Sequence, residues 1–271
     1  MRIVRAVVLL TACLTLGVST VHGQQPDAAQ ILASAREALG GEKALASVKT
    51  FVATGRTRQI RGNNLVPIEF EISCELPDKF VRKDEIPAQD TDLTVTGFRG
   101  EALIQFPFQP SGRAGGPPGP PPGRGGPPPN PAQQRLTTVK QDFARLMLGV
   151  FATSFPPYPL TFKYAAEAEA PEGKADILDV AGPANFAARL VVQRDTHLPV
   201  MLMWQQPAAP AAPQAKPTDY RMYYADYRDV SGIKWPFRIR RAVAGDTIEE
   251  TTFDRVSVNV RIDPRKFEAP K

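Results

Sequence analysis

The feature that most constrains the fold is a two-residue periodicity in segments rich in β-branched and aromatic residues. In "VPIEFEISCEL" (residues 66–76), apolar side chains hold every second position and glutamates hold most of the others. The pattern returns in "IKWPFRI" (233–239), where isoleucines and aromatic residues hold the odd-numbered positions. The even-numbered positions include Lys234 and Arg238, and Arg240 continues them. A period of two is typical of a β-strand with one buried side. The sequence therefore predicts amphipathic strands, each with one apolar face and one charged face.

Strand patterns of this kind recur along the chain, with turns between them and no crossover of helical length, which favours antiparallel neighbours. Helical spacing of apolar residues appears in residues 27–39, which begin at a capping Asp27 and end at two glycines, and again in residues 135–152. A large twisted sheet tends to curl or close. We expect a mainly β (α+β) fold, with a single strongly curved antiparallel sheet and helices against its concave side.

The two ends of the domain and its inserts are marked by composition. Residues 1–23 have a short basic start, an apolar run and a small-residue end, which predicts a signal peptide and leaves residues 24–271 as one domain. A lipid anchor at Cys13, in "LTAC", is the less favoured alternative, because apolar residues continue past it. The proline-rich segments 107–131 and 206–217 predict disordered inserts, since proline cannot donate to a ladder. We therefore expect an exported protein.

Few residues are available for catalysis or metal binding. After the predicted cleavage the chain keeps one histidine, His197, and one cysteine, Cys74, and it has no GxSxG motif or calcium loop. His197 falls where a hairpin would turn, and Cys74 shares the apolar parity of its strand, so each has an ordinary structural interpretation. The net charge of +5 loses two with Arg2 and Arg5, which leaves +3, and this is too mild for nucleic-acid binding. We expect no enzyme, no cofactor and no nucleic-acid partner.

Three stretches carry a family resemblance: "ILASAREALGGEKALASVKTFVATGR", "ISCELPDKFVRKDE", and "YADYRDVSGIKWPFRIRR" with the following "TTFDRVSVNVRIDPRKFEAP". They resemble the LolA/LppX-like group of bacterial outer-membrane lipoprotein-sorting and lipid-carrier proteins. The resemblance covers nearly all of the chain after residue 23 except the two inserts, and its motifs are short and non-catalytic. It implies a half-open β-barrel of about eleven strands with helices closing its mouth, and an apolar interior that accepts acyl chains.

This resemblance implies a monomeric periplasmic carrier for lipoprotein acyl chains or lipids, with inner- and outer-membrane transport components as further partners. The expected lining of the lipid-binding cavity is Ile68, Phe70, Ile72, Leu76, Leu202, Trp204, Tyr224, Ile233, Trp235, Phe237 and Ile239. The expected residues of the lid helices are Ile31, Leu32, Leu39, Phe143, Leu146 and Met147. The alternative is an envelope structural or protein-interaction module in which the same fold has a filled core. A cavity of roughly several hundred Å³ would separate the two.

Overall fold

The computed structural model describes residues 27–62, 64–87, 93–107, 130–170, 173–206 and 216–268. The predicted signal peptide, Cys13 and most of both proline-rich inserts lie outside these residues. The described helices and strands are α1 Ala28–Ala38, α2 Glu42–Ser47, β1 Thr50–Arg61, β2 Asn64–Glu75, β3 Lys79–Glu85, β4 Leu93–Arg99, β5 Ala102–Phe106, α3 Pro131–Phe151, β6 Thr161–Ala170, β7 Gly173–Gly182, β8 Phe186–Gln193, β9 Pro199–Gln206, β10 Thr218–Val230, β11 Ile233–Val243, β12 Asp246–Val258 and a 3-10 helix, Pro264–Phe267.

All twelve strands belong to one antiparallel sheet in the order β5-β4-β3-β2-β1-β12-β11-β10-β9-β8-β7-β6. Two meanders, β1–β5 and β6–β12, are joined where β1 pairs with β12. The sheet is curved and unclosed, with β5 and β6 at its two edges, which confirms the predicted half-open barrel. The count is twelve where about eleven strands were expected. The edge strand β5 has five residues and pairs with β4 alone among the described strands.

Strand β11 shows how the alternating sequence builds the core. Trp235 is fully buried on the concave side, where its ring meets Phe51 and Phe253 edge-on with centroids 5.0 and 5.9 Å away. Lys234 and Arg238 alternate with these buried residues and are exposed, as the periodicity predicts. The main core therefore lies between the concave face of the sheet and the helices.

Helix α3 joins β5 to β6, the two edges of the sheet, so it has to cross the concave side. Its N-cap is Asn130, whose side-chain oxygen accepts a hydrogen bond from the amide of Ala132 at 3.0 Å. The helix begins at Pro131, because proline is well suited to a first helical position. The prediction that the helix begins at residue 135 was wrong by one turn, and the last residue assigned to the first insert belongs to α3.

Helix α1 is joined to the turn between β10 and β11. The carbonyl of Leu39, at the end of α1, accepts a hydrogen bond from the amide of Lys234 at 2.7 Å. Gly40 follows with φ +132°, and a Cβ at this position would lie 2.3 Å from the carbonyl oxygen of Gly232. Two of the stretches that carry the family resemblance, "ALGG" and "VSGIKW", therefore fit directly against each other. Within the described residues, no helix has both the length and the apolar character needed to cross a bilayer.

Candidate functional site

A cavity of about 280 Å³ remains between α3 and the concave face of the sheet. Its apolar side is formed by Ile68, Ile72, Phe80, Leu146, Met222 and Ile239. Clefts that bind small molecules usually measure about 300–1,000 Å³. The volume lies just below that range, because α3 occupies most of the concavity without filling it.

The polar side of the cavity is a row of hydrogen-bonded side chains on β3, β1 and β12. Arg82 forms an ion pair with Asp84 at 2.8 Å and donates to the hydroxyl of Thr57 at 3.2 Å. The hydroxyls of Thr57 and Thr251 are 2.8 Å apart and buried. Every member of the row has a partner, so the row links β3, across β2, to β1 and β12 without leaving an unsatisfied polar group.

Helix α3 brings a buried positive charge to the concave face. The guanidinium of Arg145 pairs with Asp142 at 2.9 Å, and Asp142 also lies 3.6 Å from Arg241. The side chain of Arg145 is 9% exposed, its charged carbon lies 4.5 Å from the centroid of Trp204, and its Nε has no hydrogen-bond partner among the described residues. Burial lowers the pKa of Arg145, and the charge of Asp142 opposes that shift. The charge is thus only partly compensated.

A second charged residue on the underside of α3 is Lys140, whose side chain is 7% exposed. Its ammonium reaches the carboxylate of Glu101 at 2.6 Å, at the edge of the sheet, and lies 5.7 Å from the centroid of Phe98. Burial of two cations under one helix is costly, because each loses water that its protein contacts replace only in part.

Two tyrosines of β10 hold the C-terminal half of α3. The hydroxyl of Tyr224 donates to the carbonyl of Arg145 at 2.6 Å, and that of Tyr227 lies 2.8 Å from the carbonyl of Gly149. A Cβ at position 149 would lie 2.4 Å from the ring of Tyr224, so glycine permits the close approach. Burial raises the pKa of both tyrosines, which keeps their hydroxyls protonated near neutral pH.

The residues expected to line the cavity lie at different depths. Those that line it are Ile68, Ile72 and Ile239. Those buried in the main core are Phe70, Leu202, Tyr224, Ile233, Trp235 and Phe237, and those partly buried against it are Leu76 and Trp204. Of the expected lid residues, Leu146 lines the cavity, whereas Ile31, Leu32, Leu39, Phe143 and Met147 are packed into the core.

Sequence reasoning missed the polar members of the site. Arg241 shares the parity of Ile233 and Ile239, so continuing the alternation would have placed it on the concave side. Thr57 likewise continues the parity of Phe51 on β1. Lys140 follows Leu136 by four residues and precedes Phe143 by three, which puts it on the apolar stripe of α3. In each case the signal was a polar residue at an apolar position.

The chemistry of the remaining candidates is limited. His197 is exposed in the turn between β8 and β9. Cys74 is fully buried on β2, and burial raises its pKa well above the usual thiol value, which disfavours the reactive thiolate. Within the described residues, no group of three or more histidine, cysteine and carboxylate side chains is arranged to hold a metal ion.

The outer face of the sheet carries two wider grooves. One, of about 990 Å³, lies between the C-terminal segment and strands β1–β4, and charges of both signs line it. The 3-10 helix is fixed beside this groove by Phe267, which packs on Val81, Val95 and Ile104. The other groove, of about 720 Å³, crosses β8–β11 and is mostly apolar.

Solved structures share this fold at low sequence identity. A LolA superfamily protein from Nitrosomonas europaea has a TM-score of 0.54 and 11% identity, over 89% of this chain and 97% of that one. A putative outer membrane lipoprotein-sorting protein domain from Vibrio parahaemolyticus has a TM-score of 0.53, with the same identity and coverage. No protein-family model and no curated protein sequence matches the chain. The two likenesses show a LolA-like fold, which confirms the fold that the resemblance implies.

Proposed function

We propose that this LolA-like chain is a non-catalytic periplasmic carrier that binds acyl chains of lipoproteins or lipids on its concave face. The observation that supports the proposal most strongly is the construction of α3. It crosses an apolar sheet surface, leaves a cavity of about 280 Å³ above it and buries Lys140 and Arg145 beneath itself. The descriptions of the two similar structures, a LolA superfamily protein and a lipoprotein-sorting domain, agree with this proposal.

An acyl chain needs more room than the closed cavity offers, so α3 has to move for the ligand to enter. Opening would expose the apolar underside of α3, but it would also return Lys140 and Arg145 to water. The recovered hydration offsets part of the lost apolar contact. Each buried methylene of the ligand contributes about 0.8 kcal/mol, so a long acyl chain favours the open state over the closed one.

Export and exchange with membranes belong to the same proposal. Residues 1–23 act as a signal peptide, the carrier works as a monomer, and transport components of the inner and outer membranes deliver and receive its cargo. The mass of the mature N-terminus distinguishes cleavage after Gly23 from lipidation of Cys13.

The second candidate is an envelope structural or interaction module. It is favoured by one observation, that the closed cavity is smaller than typical ligand clefts while α1 and α3 join one continuous core. In that case α3 stays closed and the chain binds no lipid.

Native mass spectrometry of protein purified from a bacterial periplasm, followed by titration with a fluorescent fatty acid, separates the two. A carrier co-purifies with lipid and takes up the probe. Ile68→Trp fills the cavity from its floor and should abolish uptake by the concave face. Leu65→Trp, at a position on the same strand that is 66% exposed, should leave uptake unchanged. A bare mass together with no uptake by the unmodified chain would support the interaction module.

A further inference from the structure

The groove of about 720 Å³ on the outer face follows one row of cross-strand neighbours. Val191 on β8 lies opposite Met201 on β9, Met201 lies opposite Tyr223 on β10, and Tyr223 lies opposite Arg240 on β11. The row crosses three inter-strand spacings, or about 14 Å. It is apolar at the β8 end, aromatic in the middle and cationic at the β11 end.

This row is unusual for the outer side of the sheet. Lys234 and Arg238, which point outward on β11, are charged and exposed, whereas Val191 is 6% exposed and the neighbouring outward Ala175 on β7 is 8% exposed. The volume of the groove falls within the range of about 300–1,000 Å³ that is usual for ligand clefts. An apolar groove with one charged end fits a ligand that is itself apolar at one end and charged at the other.

The charged end has free hydrogen-bonding capacity. Arg240 is exposed, and its guanidinium carbon lies 4.2 Å from the centroid of Tyr223. Glu250, which lies opposite Arg240 in the sheet, pairs with Arg238 at 3.3 Å instead. Among the residues that the structure describes, no carboxylate forms an ion pair with Arg240. Its planar N–H groups remain able to donate two parallel hydrogen bonds to an anion.

We infer that this outer groove binds a single-chain anionic amphiphile. The tail lies across Met201 and Val191, the anionic head accepts hydrogen bonds from Arg240, and Tyr223 orients the guanidinium by stacking against it. The groove is on the opposite side of the sheet from the concave cavity, so this binding does not depend on the carrier function and requires no movement of α3.

Isothermal titration calorimetry with dodecanoate below its micelle concentration tests the inference, with Ile68→Trp in the background to fill the concave cavity. The groove should bind dodecanoate and dodecyl phosphate. Inorganic phosphate and dodecyltrimethylammonium should bind at least about tenfold more weakly, because each lacks the tail or the negative charge. Equal binding of the cationic and anionic amphiphiles would overturn the inference.

Variants locate the binding. Arg240→Gln should weaken the affinity for dodecanoate about tenfold, and Met201→Ser should weaken it about threefold. Lys234→Gln is the matched control, because it removes an exposed cation of the same strand face outside the groove, and it should change the affinity less than twofold. An Arg240→Gln variant that unfolds like its parent and binds dodecanoate equally well would contradict the assignment.

The two sites are separable in the same set of variants. In the unmodified background, Arg240→Gln should retain fatty-acid uptake by the concave cavity, while Ile68→Trp should retain binding in the outer groove. Photolabelling with a diazirine fatty acid then shows on which side of the sheet the ligand is bound. Label on Met201 or Tyr223 supports the outer groove, and label confined to the inward Leu202 and Met222 opposes it.

Discussion

Helices α1 and α3 both cover the concave face, but their buried surfaces differ in chemistry. The buried residues of α1 are all apolar, whereas those of α3 include Lys140 and Arg145. The end of α1 is joined to the sheet by a backbone hydrogen bond from Lys234, while the described hydrogen bonds from β10 to α3 come from tyrosine hydroxyls. A wholly apolar face gains free energy only by remaining buried, and a buried charge recovers hydration on exposure. We propose that α1 stays in the core and that α3 is the cover that opens.

The largest expected loss of stability comes from truncating a residue that packs α3 against the sheet. Phe143 is 1% exposed and meets Phe80 and Phe98 edge-on at 5.4 and 5.3 Å, so Phe143→Ala should lower the free energy of unfolding by about 3–5 kcal/mol in urea titration. Gln134→Ala, an exposed change on the same helix, should stay within about 0.5 kcal/mol. A loss below about 1 kcal/mol for Phe143→Ala would mean that the closed arrangement described here is not the stable one.

The next largest loss of stability is expected where α1 meets the sheet. Gly40→Ala would place a Cβ 2.3 Å from the carbonyl oxygen of Gly232 at a φ of +132°, so it should cost about 3 kcal/mol of unfolding free energy. Gly100 is the control, because it also has a positive φ but open space around it, and Gly100→Ala should cost about 1 kcal/mol. Equal costs at the two glycines would show that α1 is not held tightly and would weaken its contrast with α3.

The sequence predicts the positions of α1 and α3 better than it predicts how their buried surfaces differ. Apolar spacing over residues 27–39 and 135–152 identifies both helices, and alternation on strands such as β2 and β11 identifies the sheet they cover. Helical periodicity, however, assigns a face by the average of its residues. A single arginine or lysine within an apolar stripe changes that average little, so Lys140 and Arg145 were not assigned to the buried side.

The size of the cavity was also beyond sequence reasoning. It depends on how far α3 descends onto the sheet, and that distance is set by contacts between remote residues such as Gly149 and Tyr224. The polar row through Thr57 and Thr251 depends on the register of β1 and β12, which are separated by most of the chain. Periodicity gives the side on which a residue lies, but neither the helix depth nor the cross-strand partner.

Removal of the buried charge of Arg145 should make α3 more like α1, because the closed position of α3 becomes more stable. Arg145→Met keeps an unbranched side chain beside Trp204 and Phe186, although a shorter one, and eliminates the unpartnered Nε, while Asp142 retains Arg241 at 3.6 Å. We expect the unfolding free energy to rise by about 1 kcal/mol and fatty-acid uptake to weaken by roughly fivefold, because the closed state is favoured.

Arg145→Lys is the control for this change, since it keeps a buried charge and should keep uptake close to that of the unmodified chain. Arg145→Met could instead lower the unfolding free energy by more than about 1 kcal/mol and leave fatty-acid uptake normal. That result would show that the charge of Arg145 stabilises the closed position of α3.

The smallest effect compares the two N-caps. Asp27 and Asn130 each accept a hydrogen bond at 3.0 Å from the amide two residues later, so replacing either by alanine should cost its helix about 1 kcal/mol. If α1 opens only with the whole core, Asp27→Ala should lower global stability by that amount. If α3 opens separately, Asn130→Ala should increase amide exchange within α3 about fivefold and leave exchange in β1 and β12 unchanged. Asp27→Asn and Asn130→Asp preserve the caps and serve as controls.

Amide exchange that rises equally in α3 and in the central strands would show that both helices open only by global unfolding. The distinction between a fixed α1 and a movable α3 would then be lost.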